Sequence, residues 1–171
     1  MKKPILFVVL LFAVSLMANA QKFALIDMEY ILQHIPDYEQ ADEQLNQLSQ
    51  KYQNEVEALT QQAQSLYKDY QSKAAALSEE QRTKKEEEIV TKEKAVAELR
   101  RKYFGPEGEL VKKRESMMAP IQDEIYAAVK EISELAGYSV VADRASTTGI
   151  IFASPRIDIS NEVLTKLGYS D

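Results

Sequence analysis

Cysteine is absent from the 171-residue chain, and glycine is scarce. Without cysteine there is no disulfide, no thiol catalyst, no thiolate metal site and no lipoprotein attachment point. The five glycines stand at Gly105, Gly108, Gly137, Gly149 and Gly168. They fit neither G-x-x-x-x-G-K-[ST] nor G-x-G-x-x-G, the loops that hold nucleotide phosphates. Nucleotide hydrolysis is therefore not expected.

Candidate catalytic residues are equally few. The single histidine, His34, has no sequence neighbour that would join it in binding a metal, so a surface or packing role is favoured. Glu79, Glu80 and the glutamates at 86–88 have the chemistry of a glycosidase pair or a divalent-cation site. On a long helix such runs are typical of a solvated face with basic partners three or four residues away. We predict that the protein is not an enzyme and uses no metal or cofactor.

The first twenty residues have the pattern of an export signal. Lys2 and Lys3 precede an apolar run, Ile5–Leu16, and an A-x-A cleavage signal ends at Ala20. The run is shorter than the ~20 residues that span a bilayer, so cleavage is favoured over an uncleaved anchor. We expect an exported, soluble chain that starts at Gln21.

The predicted mature chain is acidic. Removing Lys2 and Lys3 with the signal leaves 19 basic residues against 27 acidic ones, a net charge of −8. This balance argues against general affinity for nucleic acid or for an anionic membrane.

Residues 37–136 are predicted to form a helical hairpin. No glycine or proline occurs between Asp37 and Phe104, which favours unbroken helix. Asp37 precedes Gln40 by three residues, a spacing that resembles a capping box. The apolar positions of the outgoing helix are Ala41, Leu45, Leu48, Tyr52, Val56, Leu59, Ala63, Leu66, Tyr70, Ala74 and Leu77. Their mean spacing of 3.6 residues predicts a nearly straight seam.

The tip of the hairpin is predicted near residues 75–78, where Ser78 and Gln81 form a second capping box. The returning seam is sparser and consists of Ile89, Val96, Leu99, Tyr103, Leu110, Met117, Ile121, Ile125, Ala128, Ile132 and Leu135. Charged residues crowd between Ser78 and Lys102. The distal end is therefore predicted to be the least stable part of the hairpin.

The returning helix is interrupted at residues 105–108 by the sequence Gly-Pro-Glu-Gly. Pro106 removes a backbone hydrogen bond and clashes with the preceding turn, so a kink or a brief loop is expected there. Counted back from the tip, Gly105 lies opposite about Gln50, where the hairpin is free to bend. Pro120 adds a second, milder bend.

Residues 21–36 and 137–171 are predicted to form a small β-containing body. Its strands are Phe23–Ile26, Tyr138–Ala142 and Ile150–Ala153. Asp158 or Ser160 then caps a short helix that ends at Gly168. A small open sheet has exposed edges, which favours association of several chains through these strands.

The predicted fold is mainly α with a small β body: a long, antiparallel, coiled-coil-like hairpin projects from a strand-based body. Tyr52, Tyr70 and Tyr103 match the seam and are expected to pack there. Tyr67 lies one position off the seam, beside Leu66. An off-seam aromatic on an exposed rod is a candidate contact for a partner.

The order of these segments resembles the Skp/OmpH family of periplasmic chaperones. An export signal is followed by an apolar strand, a long helical hairpin, a strand pair and the sequence Asp158-Ile-Ser-Asn-Glu-Val-Leu164. The resemblance covers essentially the whole mature chain. Its specific part is the C-terminal strand pair followed by the D-I-S-x-x-V-L helix.

The resemblance implies a periplasmic homotrimer whose strands build a central body and whose three arms surround a cavity. Unfolded outer-membrane β-barrel proteins are held there without ATP. The implied trimer interface is Phe23, Leu25, Ile26, Val140, Val141, Ile150, Ile151 and Phe152. The best-known member of the family is basic whereas this chain is acidic, so contact with lipopolysaccharide or membrane is not carried over.

An alternative is a structural or adaptor coiled-coil hairpin in a cell-envelope assembly. Such hairpins are expected between lipoyl-like or barrel segments. The regions that flank this hairpin have about 16 and 35 residues, which is too short for those modules.

Overall fold

The computed structural model of the chain describes residues 22–146 and 149–169. The predicted export signal and its cleavage site lie outside these residues. The described chain divides into two units. The first combines the residues up to His34 with those from Glu124 onward, and the second is Ile35–Asp123.

A two-stranded parallel sheet organises the first unit. Strand β1, Lys22–Ile26, pairs with β2, Tyr138–Asp143, in a register that places Phe23 beside Val140. The last three residues of β1 are all buried, which is typical of a strand that is covered on both faces. The other edge of β1 is also used, because the Ile159 N–H donates a hydrogen bond of 2.9 Å to the Leu25 carbonyl.

Two short helices complete the first unit. Helix α1, Met28–Gln33, begins where the Asp27 carboxylate accepts a hydrogen bond of 2.9 Å from the Tyr30 N–H. The last helix, Ser160–Leu167, ends at Gly168, whose φ of 87° is a left-handed conformation that glycine adopts without a Cβ penalty. The most deeply buried side chains of the unit are Ile31, Ile125, Ile159 and Val163.

The predicted strand at Ile150–Ala153 is wrong. These residues belong to no helix or strand, and they lead into a short 3₁₀ turn, Pro155–Ile157. A strand exists through hydrogen bonds to a neighbouring strand, and an apolar run by itself supplies none. One edge of β1 is taken by β2 and the other is bridged by Asp158, so β1 offers this run no free edge.

Two long helices form most of the second unit. Helix α2, Pro36–Lys73, is followed by a 3₁₀ turn, Ala74–Ala76, and then by helix α3, Glu79–Phe104. The predicted cap at Asp37 is wrong, because α2 begins one residue earlier. Pro36 occupies the first turn, where its fixed φ suits a helix and its missing N–H costs nothing. Asp37 instead lies within that turn, where a carboxylate favours the helix N-terminus.

The predicted capping box at the start of α3 is confirmed. The Gln81 N–H donates to the Ser78 hydroxyl at 3.3 Å, and the Ser78 N–H donates to the Gln81 side chain at 3.0 Å. Every predicted seam position of α2 is buried or half-buried, whereas Tyr67 is exposed. The apolar period therefore locates the face that α2 turns toward α3.

A third long helix, α4, Glu109–Ala136, follows the break and contributes to both units. The Gly108 N–H donates a hydrogen bond of 2.8 Å to the Gly105 carbonyl, which closes a tight turn between α3 and α4. Pro120 lies inside α4. Leu135 was predicted to be a seam residue, but its side chain is 82% exposed. Periodicity selects a face of a helix, and burial also requires another element over that face.

The predicted fold class, mainly α with a long antiparallel helical hairpin and a small sheet, is confirmed. Among the helices of residues 22–146 and 149–169, none has an apolar stretch long enough to cross a membrane.

Candidate association surfaces

Among the large apolar side chains of the first unit that face water, four lie on the two strands or in the segment after β2. Phe23 is 53% exposed and Val140 48%, and these two lie side by side on β1 and β2. Ile151 and Phe152, in the irregular segment after β2, are 101% and 85% exposed. We call Phe23, Val140, Ile151 and Phe152 the exposed apolar set. Exposure of this kind marks a surface that is suited to cover by another chain.

The remaining residues of the predicted trimer interface are less accessible. Leu25 and Ile26 are buried within the chain, where the Ile26 carbonyl accepts a hydrogen bond of 2.8 Å from the Arg144 N–H. Val141 and Ile150 are half-buried. The structure therefore places Leu25 and Ile26 in the internal core of the first unit.

A polar network holds the turn that follows β2. The Arg144 guanidinium lies 3.0 Å from Asp27 Oδ2 and 3.3 Å from Asp158 Oδ2, so it joins the ends of three chain segments. The Ser160 hydroxyl accepts a hydrogen bond of 2.8 Å from the Asp27 N–H. These contacts tie the end of β2 to Asp27 and to the start of the last helix.

Asp143, at the end of β2, belongs to the same network. Burial acts to raise the pKa of its carboxyl group, but hydrogen bonds from Met28, Ala145 and Ser146 outweigh burial and lower the pKa below its usual value. The carboxylate thus stays charged and ties β2 to the start of α1.

In the second unit, an aromatic cluster lies beside the break. The rings of Tyr52 on α2 and Tyr103 on α3 stack with centroids 3.9 Å apart and an angle of 5° between their planes. Phe104 meets both rings edge-on, at 6.3 and 6.4 Å. Offset and edge-on aromatic pairs contribute about 0.5–1.5 kcal/mol beyond the burial of their area. This cluster, Tyr52, Tyr103 and Phe104, fixes the register of α2 against α3 at the break.

Carboxylates hold the two tyrosine hydroxyls. The Tyr52 hydroxyl donates a hydrogen bond of 2.8 Å to Glu109 Oε2, and the Tyr103 hydroxyl donates to the Glu55 carboxylate. The bond to Glu55 raises the pKa of Tyr103 to about 12, and the bond to Glu109 raises the pKa of Tyr52. The hydrogen bond from the Tyr52 hydroxyl in turn lowers the pKa of Glu109. Lys102 lowers it further, because its Nζ lies 3.4 Å from Glu109 Oε1.

The glycines of the break are required by close backbone contacts. A Cβ at Gly105 would lie 2.4 Å from the Arg101 carbonyl oxygen, and one at Gly108 would lie 2.7 Å from the Tyr103 carbonyl oxygen. No side chain fits at such distances without movement of the backbone. The break is therefore a tight, specified turn, and the sequence order places it directly beside the aromatic cluster.

The residues considered for catalysis have other partners. His34 Nδ1 lies 2.7 Å from the Tyr30 carbonyl oxygen, next to the Tyr30 ring. Glu80 and Glu88 form ion pairs with lysines on their own helix, at 2.7 and 2.8 Å. Within residues 22–146 and 149–169, no group of three or more such side chains is arranged to bind a metal ion.

Sequence reasoning placed the tyrosines on the seam but missed the groups that hold them. Glu55 and Glu109 each lie next to a seam position, where an acidic residue is ordinarily assigned to the solvated face. The available signal was that Tyr52 and Tyr103 both match the seam, at positions that the count back from the tip places opposite each other. Phenol hydroxyls at a partly buried seam need acceptors, and neighbouring carboxylates are the nearest ones.

Known proteins resemble this chain in sequence and in fold. The family described as outer membrane protein (OmpH-like) matches residues 22–167, from the first residue of β1 to the end of the last helix. The chaperone protein Skp of Yersinia enterocolitica is 24% identical over 157 residues, which are 91% of each chain. A crystal structure from Caulobacter crescentus CB15, described as a proposed OmpH-like outer membrane chaperone, has a similar fold. Its TM-score is 0.67 at 13% identity, over 87% of this chain and 85% of that one.

Proposed function

Because this chain belongs to the OmpH-like outer membrane protein family, we propose that it is a periplasmic holdase chaperone that works without ATP. It binds unfolded outer-membrane β-barrel proteins in a cavity between the arms of a homotrimer and prevents their aggregation. The observation that carries this proposal is the family match, which spans every described helix and strand. The relative named as a chaperone also aligns along nearly its whole length.

The exposed apolar set supports the trimer. Phe23 and Val140 form a neighbouring pair on the sheet, and Ile151 and Phe152 are exposed in the segment that leads into the 3₁₀ turn at Pro155–Ile157. Covering their apolar surface with a partner would stabilise the assembly by roughly 25 cal/mol for each Å² that is buried. Association with other copies of the chain buries them.

The hairpin supports the holding function. A holdase carries out no chemistry, and it needs weak contact at many points together with a charged surface that keeps the complex soluble. The second unit offers long helices with charged outer faces and few exposed apolar side chains. Because the chain carries a net negative charge, we expect it to recognise clients through their apolar groups rather than through anionic ones.

The first experiment is light scattering on the mature chain, with and without a urea-unfolded outer-membrane protein. The proposal expects a species of three chains that takes up one client and keeps it soluble. A monomer or dimer that leaves the client to aggregate would contradict the proposal and favour the envelope adaptor.

A second experiment tests the interface itself. The double variant Ile151→Ser, Phe152→Ser removes exposed apolar groups, so the single chain keeps its internal core while the trimer dissociates. Circular dichroism checks the fold, and Tyr126→Ser, at a side chain that is 70% exposed on α4, is the matched control. A double variant that remains a trimer would remove these residues from the interface. Ile26→Asp would not distinguish loss of the trimer from loss of the fold, because Ile26 is buried within its own chain.

A further inference from the structure

Three large apolar side chains of the second unit are substantially exposed, and all three lie on one face of the hairpin. They are Tyr67 at 47%, Val90 at 46% and Phe104 at 40%. Phe104 on α3 and Thr60 on α2 line the same groove, which has a volume of about 420 Å³ and is also lined by Gln53, Val56, Glu57 and Arg100. The groove shows that these two helix faces point to the same side.

Helix geometry extends that face toward the tip. Tyr67 follows Thr60 by seven residues, about two turns, so it projects within ~20° of the same direction. Val90 precedes Phe104 by fourteen residues, about four turns, and stays within ~40° of it. The Tyr52–Tyr103 stack and the Tyr70–Glu86 hydrogen bond set the register, which places residue 67 opposite residues 88 and 89, next to Val90. We call the face of Tyr67, Val90 and Phe104 the apolar face.

The opposite face of the hairpin is polar. It presents Glu55, Gln62 and Asp69 from α2, together with Glu88 and Lys102 from α3. Several of these make local polar contacts, such as the ion pair of 2.8 Å between Lys85 and Glu88. On α2 and α3, no large apolar side chain is exposed on this polar face. The two faces therefore differ in the kind of partner that they suit.

We propose that the apolar face is the surface on which the hairpin holds a client, and that its occupant is an extended segment of unfolded polypeptide. This inference rests on the proposed function and names the contact surface within it. Val90 and Phe104 are fourteen helical residues apart, which is ~21 Å along the axis. An extended chain covers that distance in about six or seven residues, so alternate side chains of one segment reach both points.

The composition of the apolar face favours such an occupant over a second copy of this chain. Three half-exposed side chains supply far less than the ~800 Å² that each partner buries in a stable interface. Gln53 lines the groove beside Phe104, and Gln64 lies on the same side of α2 between Thr60 and Tyr67. Amide side chains both donate and accept hydrogen bonds, which suits the unpaired backbone groups of an unfolded strand. Because the apolar contacts are few and water can replace the amide hydrogen bonds, a bound client can be released.

Because the chain has no native cysteine, single cysteines give a direct test. Tyr67→Cys and Val90→Cys place a thiol on the apolar face, and Gln62→Cys and Thr91→Cys place one at exposed positions on the other side. Each variant is labelled with a benzophenone reagent, mixed with an unfolded outer-membrane protein and irradiated. We expect several-fold more crosslinked client from positions 67 and 90 than from 62 and 91.

A second experiment measures chaperone activity, with substitutions that leave the seam intact. The double variant Tyr67→Ser, Val90→Ser is expected to need several-fold more chaperone to keep the client soluble, whereas Tyr126→Ser on α4 behaves as wild type. Light scattering confirms that both variants keep the oligomeric state of the wild-type chain.

The outcomes separate the two proposals. If wild-type chain holds the client while the four positions crosslink equally, or the double variant holds it as well as wild type does, the apolar face is not the holding surface. Crosslinks between copies of the chain in the absence of client would identify the face as an interface and overturn the inference. If wild-type chain holds no client at all, the proposed function fails and the inference fails with it.

Discussion

The two ends of the hairpin use the same seam but bury different residues in it. Near the break the seam holds Leu45, which is 2% exposed, and the stacked pair Tyr52 and Tyr103. Toward the tip, half-buried seam positions of α3 are taken by charged side chains, namely Arg82, Lys85 and Lys92. Ile89 is the only buried side chain between Glu79 and Lys102.

This difference teaches that register and stability are set separately. Register at the distal end is kept by polar contacts, such as the hydrogen bond of 3.0 Å from Arg82 Nε to the Ala74 carbonyl. Water replaces such contacts at little cost, whereas it does not replace buried apolar area. The distal end therefore opens more readily than the end near the break while keeping the same helical period.

The largest expected effect comes from truncating matched leucines at the two ends. Leu45→Ala is expected to lower the free energy of unfolding by about 2–5 kcal/mol, because it leaves a cavity at a fully buried site. Leu66→Ala, at a half-buried position nearer the tip, is expected to cost about 1 kcal/mol. Urea unfolding followed by circular dichroism measures both. Equal losses would show that the two ends are equally well packed.

The turn at the break gives the next largest effect. Gly105→Ala places a Cβ within 2.4 Å of the Arg101 carbonyl oxygen, so the turn must shift at a cost of about 1–3 kcal/mol. Gly149→Ala is the matched control, since nothing lies within 4 Å of its added Cβ. Thermal unfolding of the two variants compares them. An unchanged midpoint for Gly105→Ala would mean that the turn is loose.

A smaller effect is expected from making the distal seam apolar. In the wild-type chain, amide hydrogen exchange is predicted to be fastest between about residues 74 and 94. Lys92→Leu places an apolar side chain between the seam residues Ile89 and Val96 and is expected to stabilise the distal end by about 1 kcal/mol. That gain slows exchange there by about fivefold, and mass spectrometry locates it. Faster exchange in the variant would show that Lys92 itself stabilises the seam.

The smallest effect concerns the tyrosine hydroxyls. The pKa of Tyr103 is about 12 in the folded chain, against about 10 for an unfolded tyrosine. A pKa that folding raises contributes stability that is complete below pH 10 and is lost as the pH rises from 10 to 12. The stability difference between wild type and Tyr103→Phe should therefore shrink across that window. A difference that stays constant with pH would show that the bond to Glu55 does not stabilise the hairpin.

Local patterns in the sequence predicted the helices well. The period of 3.6 identified the seam of α2, and Ser78 with Gln81 marked the start of α3. Glycines and prolines predicted the turn at 105–108. Such features are carried by a few consecutive residues, because helical hydrogen bonds and caps join residues that are close in the chain.

Pairing between distant segments was harder to predict. The run Ile150–Ala153 has the composition of a strand, but it finds no strand partner in this chain. Leu135 fits the period of its helix and is still exposed, while Leu25 and Ile26, which were expected at an interface between chains, are already buried within the single chain. In each case the side chain has the predicted character, and its burial depends on what lies opposite.

By itself, the sequence determined where the helices run, which face of each is apolar, and where the chain turns. Only the tertiary structure decided that Phe104 lines a groove with Thr60, that Glu55 and Glu109 hold the stacked tyrosines, and that one edge of β1 meets Asp158. The physical reason is distance along the chain. Helices and caps form from neighbouring residues, whereas burial and side-chain partners depend on segments that only folding brings together.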